Sequence, residues 1–417
     1  KLAGDMKYDK NYECTLCHKI YDKSEDIFTC TDCGESGILD INFNYDLLKQ
    51  DIGKEYFKNN HDYSMWRYTP FMTVEDTHLM KSLKVGWTPL YEAFNIQADL
   101  GVPKLYIKDE GVNPTSSLKD RASAVAVMKA IEHHHDVISC SSTGNAASSL
   151  AGNAARMGLK TVIFVPKRAP IGKLTQLLVY GAKVISVKGD YKATFDLSKK
   201  AIKHYGWYNR NAAINPHLVE GKKTVALEIA EQLDFKVTDW VSVSVGDGCT
   251  IAGVYKGFKD LFRIGMIEKI PKILGVQSEG CAPFYEADKF ERLLEETQEN
   301  TIADSIAVGI PRNPVKGMRA VKKSQGKWIT VSDNEILENI KYLGNKEGIF
   351  GEPAGVAGLA GVRKALELGI ISHSETVTVI MTGNGLKDTE NGMKAIPKPI
   401  SLDPNLKELI KIIDEVK

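Results

Sequence analysis

From about residue 80 onward, short apolar runs rich in β-branched residues alternate with longer segments whose apolar positions recur at helical spacing. After the run "DVISC", for example, Ala147, Leu150, Ala154 and Met157 fall on one helix face, and Gly158 suits the end of that helix. Strands that are buried on both faces and alternate with helices predict a parallel, doubly wound sheet. The runs that we predict as strands are KLYIK (104–108), DVISC (136–140), TVIFVP (161–166), AKVISV (182–187), WVSVSV (240–245), KILGVQ (272–277) and TVTVIM (376–381).

Stretches rich in Gly, Ser, Thr and Asn interrupt this alternation where predicted strands end and helices begin. In doubly wound sheets ligands bind at these strand ends. "SSTGNAASSLAG" (141–152) places Asn145 at a helix start, whose free N–H groups suit an anion such as a carboxylate. "MTGNGLKD" (381–388) follows the last predicted strand in the same way. Each stretch, taken alone, is also compatible with a simple tight turn.

A third stretch, "VGDGCTIAG" (245–253), has the composition of a phosphate-binding turn. Gly246 and Gly248 allow backbone N–H groups to approach a phosphate, and Thr250 offers a hydroxyl. The stretch is not a P-loop, because the Gly-Lys-Ser/Thr that completes that motif is missing, and it does not match a dinucleotide fingerprint.

Lys119 stands in "NPTSSLKDRASA" (113–124), after a Ser/Thr run and at the predicted first turn of a helix. An isolated lysine in such a place is usually a solvated surface residue. Together with the three loops, however, it completes a set consisting of a phosphate cradle, a site for a carboxylate and an amine. That set fits pyridoxal 5′-phosphate (PLP).

Composition and charge narrow the classes of partner. The chain has 417 residues, of which 43% are hydrophobic and 26% charged, enough for a large core divided into two or three domains. Its 54 Lys and Arg against 53 Asp and Glu leave a formal charge of +1, which gives no sign of nucleic-acid or membrane binding. Since we find neither a spanning apolar run nor the apolar stretch of a signal peptide, we expect a cytoplasmic protein.

The cysteines divide into a cluster and scattered residues. Cys14, Cys17, Cys30 and Cys33 have the spacing C-x2-C-x12-C-x2-C, which places four thiolates around Zn²⁺ in a ribbon too short for a core of its own. Two disulfides are the alternative, which a cytoplasmic setting disfavours. A closed four-thiolate site has no open position for chemistry, so we expect the zinc to be structural. The scattered cysteines, Cys140, Cys249 and Cys281, are more typical of core positions.

Several segments between about residues 80 and 390 resemble threonine synthase, a fold type II PLP enzyme related to the tryptophan synthase β subunit. The resemblance implies two doubly wound parallel-sheet lobes, and the N-terminal ribbon is similar to that of some bacterial and archaeal members. The matching segments occur in the family's order. They are EGVNPTSSLKDRASA, SSTGNAASSLAGNAARMGLKTVIFVPK, GKLTQLLVYGAKV, NPHLVEGKKTVALEIAEQL, WVSVSVGDG, GVQSEGCAP, EPAGVAGLAG and TGNGLKD.

The resemblance assigns roles to individual residues. It implies that Lys119 forms the Schiff base with PLP, that Asn145 faces the 3′-hydroxyl, and that Thr382 hydrogen-bonds the pyridine nitrogen. A neutral hydroxyl at that nitrogen leaves the ring a milder electron sink, which suits elimination or replacement. The cofactor phosphate is expected at Gly246, Asp247, Gly248, Cys249 and Thr250. The substrate is expected at Ser142, Thr143, Gly144 and Ala146, with its carboxylate at the first three.

The chain departs from the family's usual pattern where the substrate phosphate is held. The usual S-T-G-N-T ends here in Ala146, and the usual G-N-x-G-N reads "GDGCT". Leu218 stands where N-P-x-R-x-E-G-Q-K-T has an arginine, and Ala307 replaces another arginine. We therefore predict a substrate wall that is more apolar and less cationic, with Lys222 or Lys223 as a partial compensation.

These observations predict a threonine synthase-like PLP enzyme that acts on an amino acid by elimination or replacement, with O-phosphohomoserine as the plausible substrate. Cysteate synthase-like or serine/threonine dehydratase-like chemistry on another amino acid is an alternative. A second alternative is one subunit of an enzyme complex whose partner supplies the missing contacts. The alternative least supported is a zinc-ribbon nucleic-acid binder with a degenerate enzyme fold, because Lys119, Asn145 and Thr382 are retained and we find no basic stripe.

The predicted domains follow from the same segments. They are a zinc ribbon at 8–40, a large PLP-binding lobe at 41–136 and 221–417, and a small mobile lobe at 137–220. By resemblance to the family we expect a homodimer, and we expect the small lobe to close on the amino acid so that water is excluded from reactive species.

Overall fold

The computed structural model describes residues 8–142, 144–167 and 171–416. Within these ranges the strands are β1 Asp9–Cys14, β2 Ile20–Asp22, β3 Leu39–Phe43, β4 Leu90–Glu92, β5 Leu105–Asp109, β6 Val137–Ser141, β7 Lys160–Pro166, β8 Lys183–Val187, β9 Tyr208–Asn209, β10 Trp240–Ser244, β11 Lys272–Ser278, β12 Lys327–Val331 and β13 Val377–Met381. The α-helices are α1 Tyr45–Asp51, α2 Lys54–Asn59, α3 Phe94–Leu100, α4 Lys119–Glu132, α5 Asn145–Met157, α6 Ile171–Val179, α7 Tyr191–Tyr205, α8 His217–Lys222, α9 Thr224–Gln232, α10 Cys249–Arg263, α11 Pro283–Lys289, α12 Pro314–Lys323, α13 Asp333–Glu347, α14 Pro353–Glu367, α15 Thr389–Ala395 and α16 Leu406–Val416.

Two of the sheets are doubly wound, as the alternating pattern predicts. The larger runs in the order β12-β11-β10-β13-β5-β4, with every neighbouring pair parallel except β4 and β5. The smaller is parallel throughout and runs β8-β7-β6-β9. We call the bodies around these sheets the large lobe and the small lobe. Each of the seven predicted apolar runs forms a strand, and Gly158, at φ 80°, ends α5 as predicted.

The central strands of the large sheet are apolar because helices cover both of their faces. Every residue of β10 and of β13 is buried. Helix α14 approaches the sheet closely through its glycines, and a side chain at Gly361 would collide with Val276 of β11. This close packing holds the carboxyl ends of β10 and β13 next to each other, at the edge where ligands bind in such sheets.

The small lobe's core draws on a helix outside its predicted bounds. Its strands lie between Val137 and Asn209, but Ala122 and Ala126 of α4 pack in the same apolar cluster as Ile138. Helix α4 therefore belongs to the packing of the small lobe and also begins at Lys119. Among the helices of the described residues, we find none with the length and apolarity needed to cross a bilayer.

The N-terminal segment forms a small antiparallel sheet, β2-β1-β3, that contacts both lobes. On the large lobe, Lys256 of α10 donates to the carbonyl of Ile41 across 2.6 Å. On the small lobe, the ring of Phe28 meets that of Tyr208 edge-on, with centroids 5.6 Å apart. A further apolar cluster joins residues of all three parts: Ile38, Ala213, Val219, Cys249 and Ala252.

Candidate active site

A cavity of about 1150 Å³ lies between the two lobes, at the carboxyl ends of their strands. Its wall contains residues that follow β6, β10 and β13, together with the first residue of α4. The cavity thus brings together the three strand-end loops that the sequence singles out. The predicted residues on its wall are Lys119, Ser142, Gly144, Asn145, Ala146, Gly246, Asp247, Gly248, Cys249, Thr250 and Thr382. Thr143, which the sequence also predicts, lies outside the described residues.

Lys119 is presented to the cavity by the backbone that precedes it. The N–H of Leu118 donates to the carbonyl of Thr382 across 2.9 Å, which ties the start of α4 to the end of β13. The Lys119 side chain is half-buried, since its open surface faces the cavity, and its Nζ lies 3.5 Å from Thr250 Oγ1. Burial lowers the pKa of the Lys119 ammonium, and the charge of Arg210 acts in the same direction. Such an amine loses its proton more readily than an exposed lysine and is a better nucleophile.

The loop at Gly246–Thr250 brings backbone N–H groups to the cavity. Gly248 adopts φ +93°, and a Cβ there would lie 2.7 Å from the carbonyl oxygen of Asn313 and 2.8 Å from Phe284 Cζ. Only glycine fits both the conformation and the space. The 15-residue helix α10 begins directly afterwards at Cys249, so its first N–H groups and its positive end face the cavity. This geometry suits a phosphate.

Asn145 begins α5 and is held by a carboxyl group that the sequence analysis does not single out. Its Nδ2 donates to Glu352 Oε1 across 2.6 Å, and both side chains are buried. Burial raises the pKa of Glu352 to about 7. A carboxyl group with that pKa can hold or release a proton near neutrality. The only sequence signal is its position in "GEPAG" directly before α14, and that position does not reveal its burial.

The predicted departures do not all reach the cavity. Ala146 and Ala307 lie on its wall, as the prediction of a more apolar wall requires. Leu218 instead is fully buried in the small-lobe core with Ala122 and Ala126. The prediction that Leu218 lines the substrate site is therefore wrong, because packing within the lobe takes up this side chain.

Two cations that the sequence analysis missed or left ambiguous do line the cavity. Arg210 follows β9 and is 1% exposed, and a lone arginine in "WYNRN" has no spacing that reveals it. Lys222 at the end of α8 also lines the cavity and is buried. Lys223 does not share this role, because its ammonium lies 2.8 Å from Asp260 and 2.5 Å from Glu220.

At the cavity wall, an arginine of one lobe stacks on an aromatic ring of the other. The guanidinium of Arg312, in the large lobe, lies 3.5 Å from the ring centroid of Phe195 on α7 of the small lobe. Both residues line the cavity. A cation over an aromatic face is attracted by the ring's quadrupole, so this contact favours a narrow gap between the lobes.

The four N-terminal cysteines converge in space. The Sγ atoms of Cys14, Cys17, Cys30 and Cys33 all lie within 4.8 Å of one another. The cysteines of the described residues are free thiols, and the separation of 3.6 Å between Cys17 and Cys30 Sγ is too long for a disulfide. The scattered Cys140, Cys249 and Cys281 are buried, as core residues are.

Comparisons with known proteins agree with this geometry. A family profile described as "Pyridoxal-phosphate dependent enzyme" matches residues 81–383. The threonine synthase of Methanocaldococcus jannaschii is 40% identical over 97% of this chain and 99% of that protein. The threonine synthase of Methanosarcina acetivorans is 37% identical over 94% and 96%. That of Mycobacterium tuberculosis is 34% identical over 81% and 92%.

Solved structures with low sequence identity share the fold. Diaminopropionate ammonia lyase from Escherichia coli superposes with a TM-score of 0.67 at 18% identity, over 81% of this chain and 93% of that one. The processed form of threonine deaminase isoform 2 from Solanum lycopersicum gives 0.65 at 21% identity, over 83% and 93%. The two-lobed α/β architecture is therefore that of fold type II PLP enzymes. From the relatives and the profile together, this chain belongs to the threonine synthase family of pyridoxal-phosphate-dependent enzymes.

Proposed function

We propose that this threonine synthase-like lyase converts O-phosphohomoserine and water into threonine and inorganic phosphate in the cavity between the lobes. The observation that carries the proposal is the desolvated amine of Lys119, 3.5 Å from Thr250 at the start of α10. An amine of lowered pKa beside a helix N-terminus matches an aldehyde cofactor that carries a phosphate.

The residues of the cavity fit PLP. Gly248 allows the tight turn into α10, since a Cβ there would collide with Asn313 and Phe284, and the first N–H groups of α10 and the Thr250 hydroxyl are placed to hold a phosphate. Asn145 and Thr382 would orient the ring by hydrogen bonds to its 3′-hydroxyl and its nitrogen. When bound, PLP draws electrons from the substrate and so weakens the bonds that must break.

The chain's own residues would bind the substrate and move its protons. Ser142 and Gly144, with Thr143, are proposed to hold the substrate carboxylate at the start of α5. Lys119 Nζ would accept a proton from the substrate carbon and return it later, a task that suits an amine whose pKa is lowered by burial. The closely spaced lobes would exclude water until it is needed as the reactant.

The test begins with the purified enzyme incubated with PLP. Borohydride reduction should fix a pyridoxyl group on Lys119, identified by peptide mass mapping, and O-phosphohomoserine should yield threonine and phosphate in equal amounts. Lys119→Ala should lower turnover by about 10²- to 10⁴-fold or more. A pyridoxyl group on another lysine, or full activity of Lys119→Ala, would refute the assignment.

A second candidate reaction is replacement or elimination on a different amino acid, such as serine, threonine or phosphoserine. The apolar Ala146 and Ala307 on the cavity wall favour it, because a phosphate next to them would be poorly paired. A panel of these amino acids, O-phosphohomoserine included, separates the two. The substrate with the highest kcat/KM identifies the reaction.

We further propose that Cys14, Cys17, Cys30 and Cys33 bind one structural Zn²⁺. Their sulfurs are close enough to share one ion, and the segment around them is short. The Tyr21 hydroxyl lies 3.0 Å from the sulfur of Cys30 and can donate a hydrogen bond to a metal-binding thiolate there.

We propose a cytoplasmic homodimer with a ribbon at 8–40, a large lobe at 41–136 and 221–417, and a mobile small lobe at 137–220. The stacking of Arg312 on Phe195 is compatible with closure of the small lobe. Light scattering that finds a monomer with full activity would contradict the dimer.

A further inference from the structure

The cavity wall contains a buried guanidinium that the roles proposed above leave unused. Arg210 is 1% exposed, and its Nε donates to Ser123 Oγ across 3.1 Å. Its Nη2 atom is buried as well, and we find no hydrogen-bond partner for it among the described residues. An unpaired buried charge is costly, so its retention on a cavity wall indicates a ligand that pairs with it.

A second cation lies on the same wall. Lys222 is 2% exposed and packs beneath the start of α10, where a Cβ on Gly253 would lie 3.0 Å from Lys222 Cβ. Burial and the charges of Lys119 and Arg210 lower the pKa of its ammonium to about 7. Such a lysine gains a proton when an anion arrives. The neighbouring Lys223 differs, since its ion pairs with Asp260 and Glu220 already neutralise it.

The charges around the cavity are separated by depth. The cations Lys119, Arg210 and Lys222 lie inside, where Asp247 is the partly buried acid beside them. Four other acids of the wall are solvent-exposed and therefore screened: Asp190, Glu296, Glu299 and Asp304. Glu352 holds its proton up to about pH 7 and bonds to Asn145. The interior thus has an excess of positive charge.

The cofactor phosphate accounts for only part of that excess, because α10 already offers it N–H groups, a helix end and the Thr250 hydroxyl. We propose that Arg210 and Lys222 form a second anion site that binds the phosphate of the amino-acid substrate. This inference rests on the proposed function and moves the substrate clamp from positions 218 and 307 to the end of β9 and the end of α8. A guanidinium fork beside an ammonium suits a tetrahedral dianion.

The test compares two ligands of one carbon skeleton on the PLP-loaded enzyme. One is the phosphonate analogue of O-phosphohomoserine, with a methylene in place of the ester oxygen, and the other is norvaline, which lacks the phosphonate. Binding is followed by the cofactor's absorbance at equilibrium, so no turnover is required. The wild type should bind the phosphonate more tightly than norvaline. The ratio of the two dissociation constants, which we call the preference, should fall about 10- to 100-fold in Arg210→Met and in Lys222→Gln. The control Lys192→Gln removes an exposed lysine of the cavity mouth, and it should change the preference by less than about threefold.

The outcomes separate the anion site from its alternatives. An unchanged preference in both variants overturns the proposal, even if threonine is still formed. A loss of PLP affinity with the preference retained also overturns it, because the cations would then serve the cofactor phosphate. A lost preference in an enzyme that makes no threonine supports the anion site and refutes the proposed function instead.

A stability measurement excludes a purely structural role. Since Arg210→Met removes an unpaired buried charge, the free energy of unfolding of the PLP-free variant should stay constant or rise. A marked fall in stability together with an unchanged ligand preference would mean that Arg210 is retained for its bond to Ser123. Arg210→Lys, which keeps the charge without the fork, should recover part of the preference.

Discussion

Buried titratable side chains set the chemistry of the cavity at the scale of single residues. In water a glutamate has a pKa below 7 and a lysine has a pKa above 7, yet burial brings the pKa of Glu352 and of Lys222 to about 7. Glu352 bonds to Asn145, and Lys222 lies beside Lys119. Small changes of pH or of bound charge therefore alter the protonation of this site.

Glu352 should make the stability of the PLP-free protein depend on pH. Its folded pKa is raised from 4.5 to about 7, so between these pH values the folded state holds a proton that the unfolded state has released. The free energy of unfolding attributable to this group therefore falls as pH rises through that window. Between pH 5 and pH 8, the fall in the free energy of unfolding should be smaller in Glu352→Gln than in the wild type, by about 1–3 kcal/mol. Urea unfolding at several pH values measures it.

The matched control is Glu367→Gln, which changes an exposed carboxylate at the other end of α14. It should leave the pH dependence nearly unchanged. If Glu352→Gln and Glu367→Gln give the same slope as the wild type, the raised pKa of Glu352 is refuted.

At the scale of elements, the junction of β10 and α10 depends on one glycine. Gly248 combines a left-handed backbone with contacts from two other segments, Asn313 and Phe284. Glycine therefore lets the chain turn sharply from the strand into the helix without a collision. A residue with a side chain would be strained and would displace the loop at the same time.

Gly248→Ala should weaken PLP binding by about tenfold or more and destabilise the protein, because the methyl group collides with the Asn313 carbonyl. Gly158→Ala is the control, since Gly158 has a similar φ of +80° at the end of α5 but an empty surrounding. It should lose stability through backbone strain alone, about 1–2 kcal/mol, with PLP affinity retained. Equal effects on PLP affinity in the two variants would contradict the cradle. PLP titration and thermal unfolding distinguish them.

At the scale of the whole molecule, the N-terminal ribbon connects the lobes. Lys256 of the large lobe donates to the carbonyl of Ile41 on β3, Tyr208 of the small lobe packs on Phe28, and Ile38 shares a cluster with Cys249. The ribbon can therefore influence the distance between the lobes although it lies outside the cavity.

Removal of zinc should loosen both lobes where they meet the ribbon. Because thiolate ligation is coupled to folding, chelation or Cys30→Ser should unfold the ribbon and raise hydrogen exchange in β9 and at the start of α10. Metal analysis should find one zinc per chain in the wild type. Cys281→Ser, a buried cysteine outside the cluster, should keep the metal and the exchange pattern. Protection that stays unchanged after complete loss of zinc would refute this coupling.

Local patterns were enough to predict much of the fold. The seven apolar runs form strands and Gly158 ends α5, because hydrophobic periodicity and the conformational freedom of glycine depend on only a few neighbouring residues. Strands β1 to β4, β9 and β12 were not predicted. β9 has only two residues, too few for a pattern, whereas "KWITV" of β12 is as long as the predicted runs KLYIK and DVISC and was missed.

The sequence by itself determined the fold class and predicted Lys119, Asn145 and the glycine loop as site residues, since the patterns that indicate them depend on residues that are neighbours in the chain. Only the tertiary structure decided which side chains meet in the cavity. Leu218 is buried in a core. Lys222 faces the cavity, whereas Lys223 pairs with Asp260. Arg210 bonds to Ser123 but keeps one nitrogen without a partner among the described residues. Lys223 and Asp260 are 37 residues apart along the chain, and Arg210 and Ser123 are 87 residues apart. Burial and pairing depend on such distant contacts, and a local pattern contains no information about them.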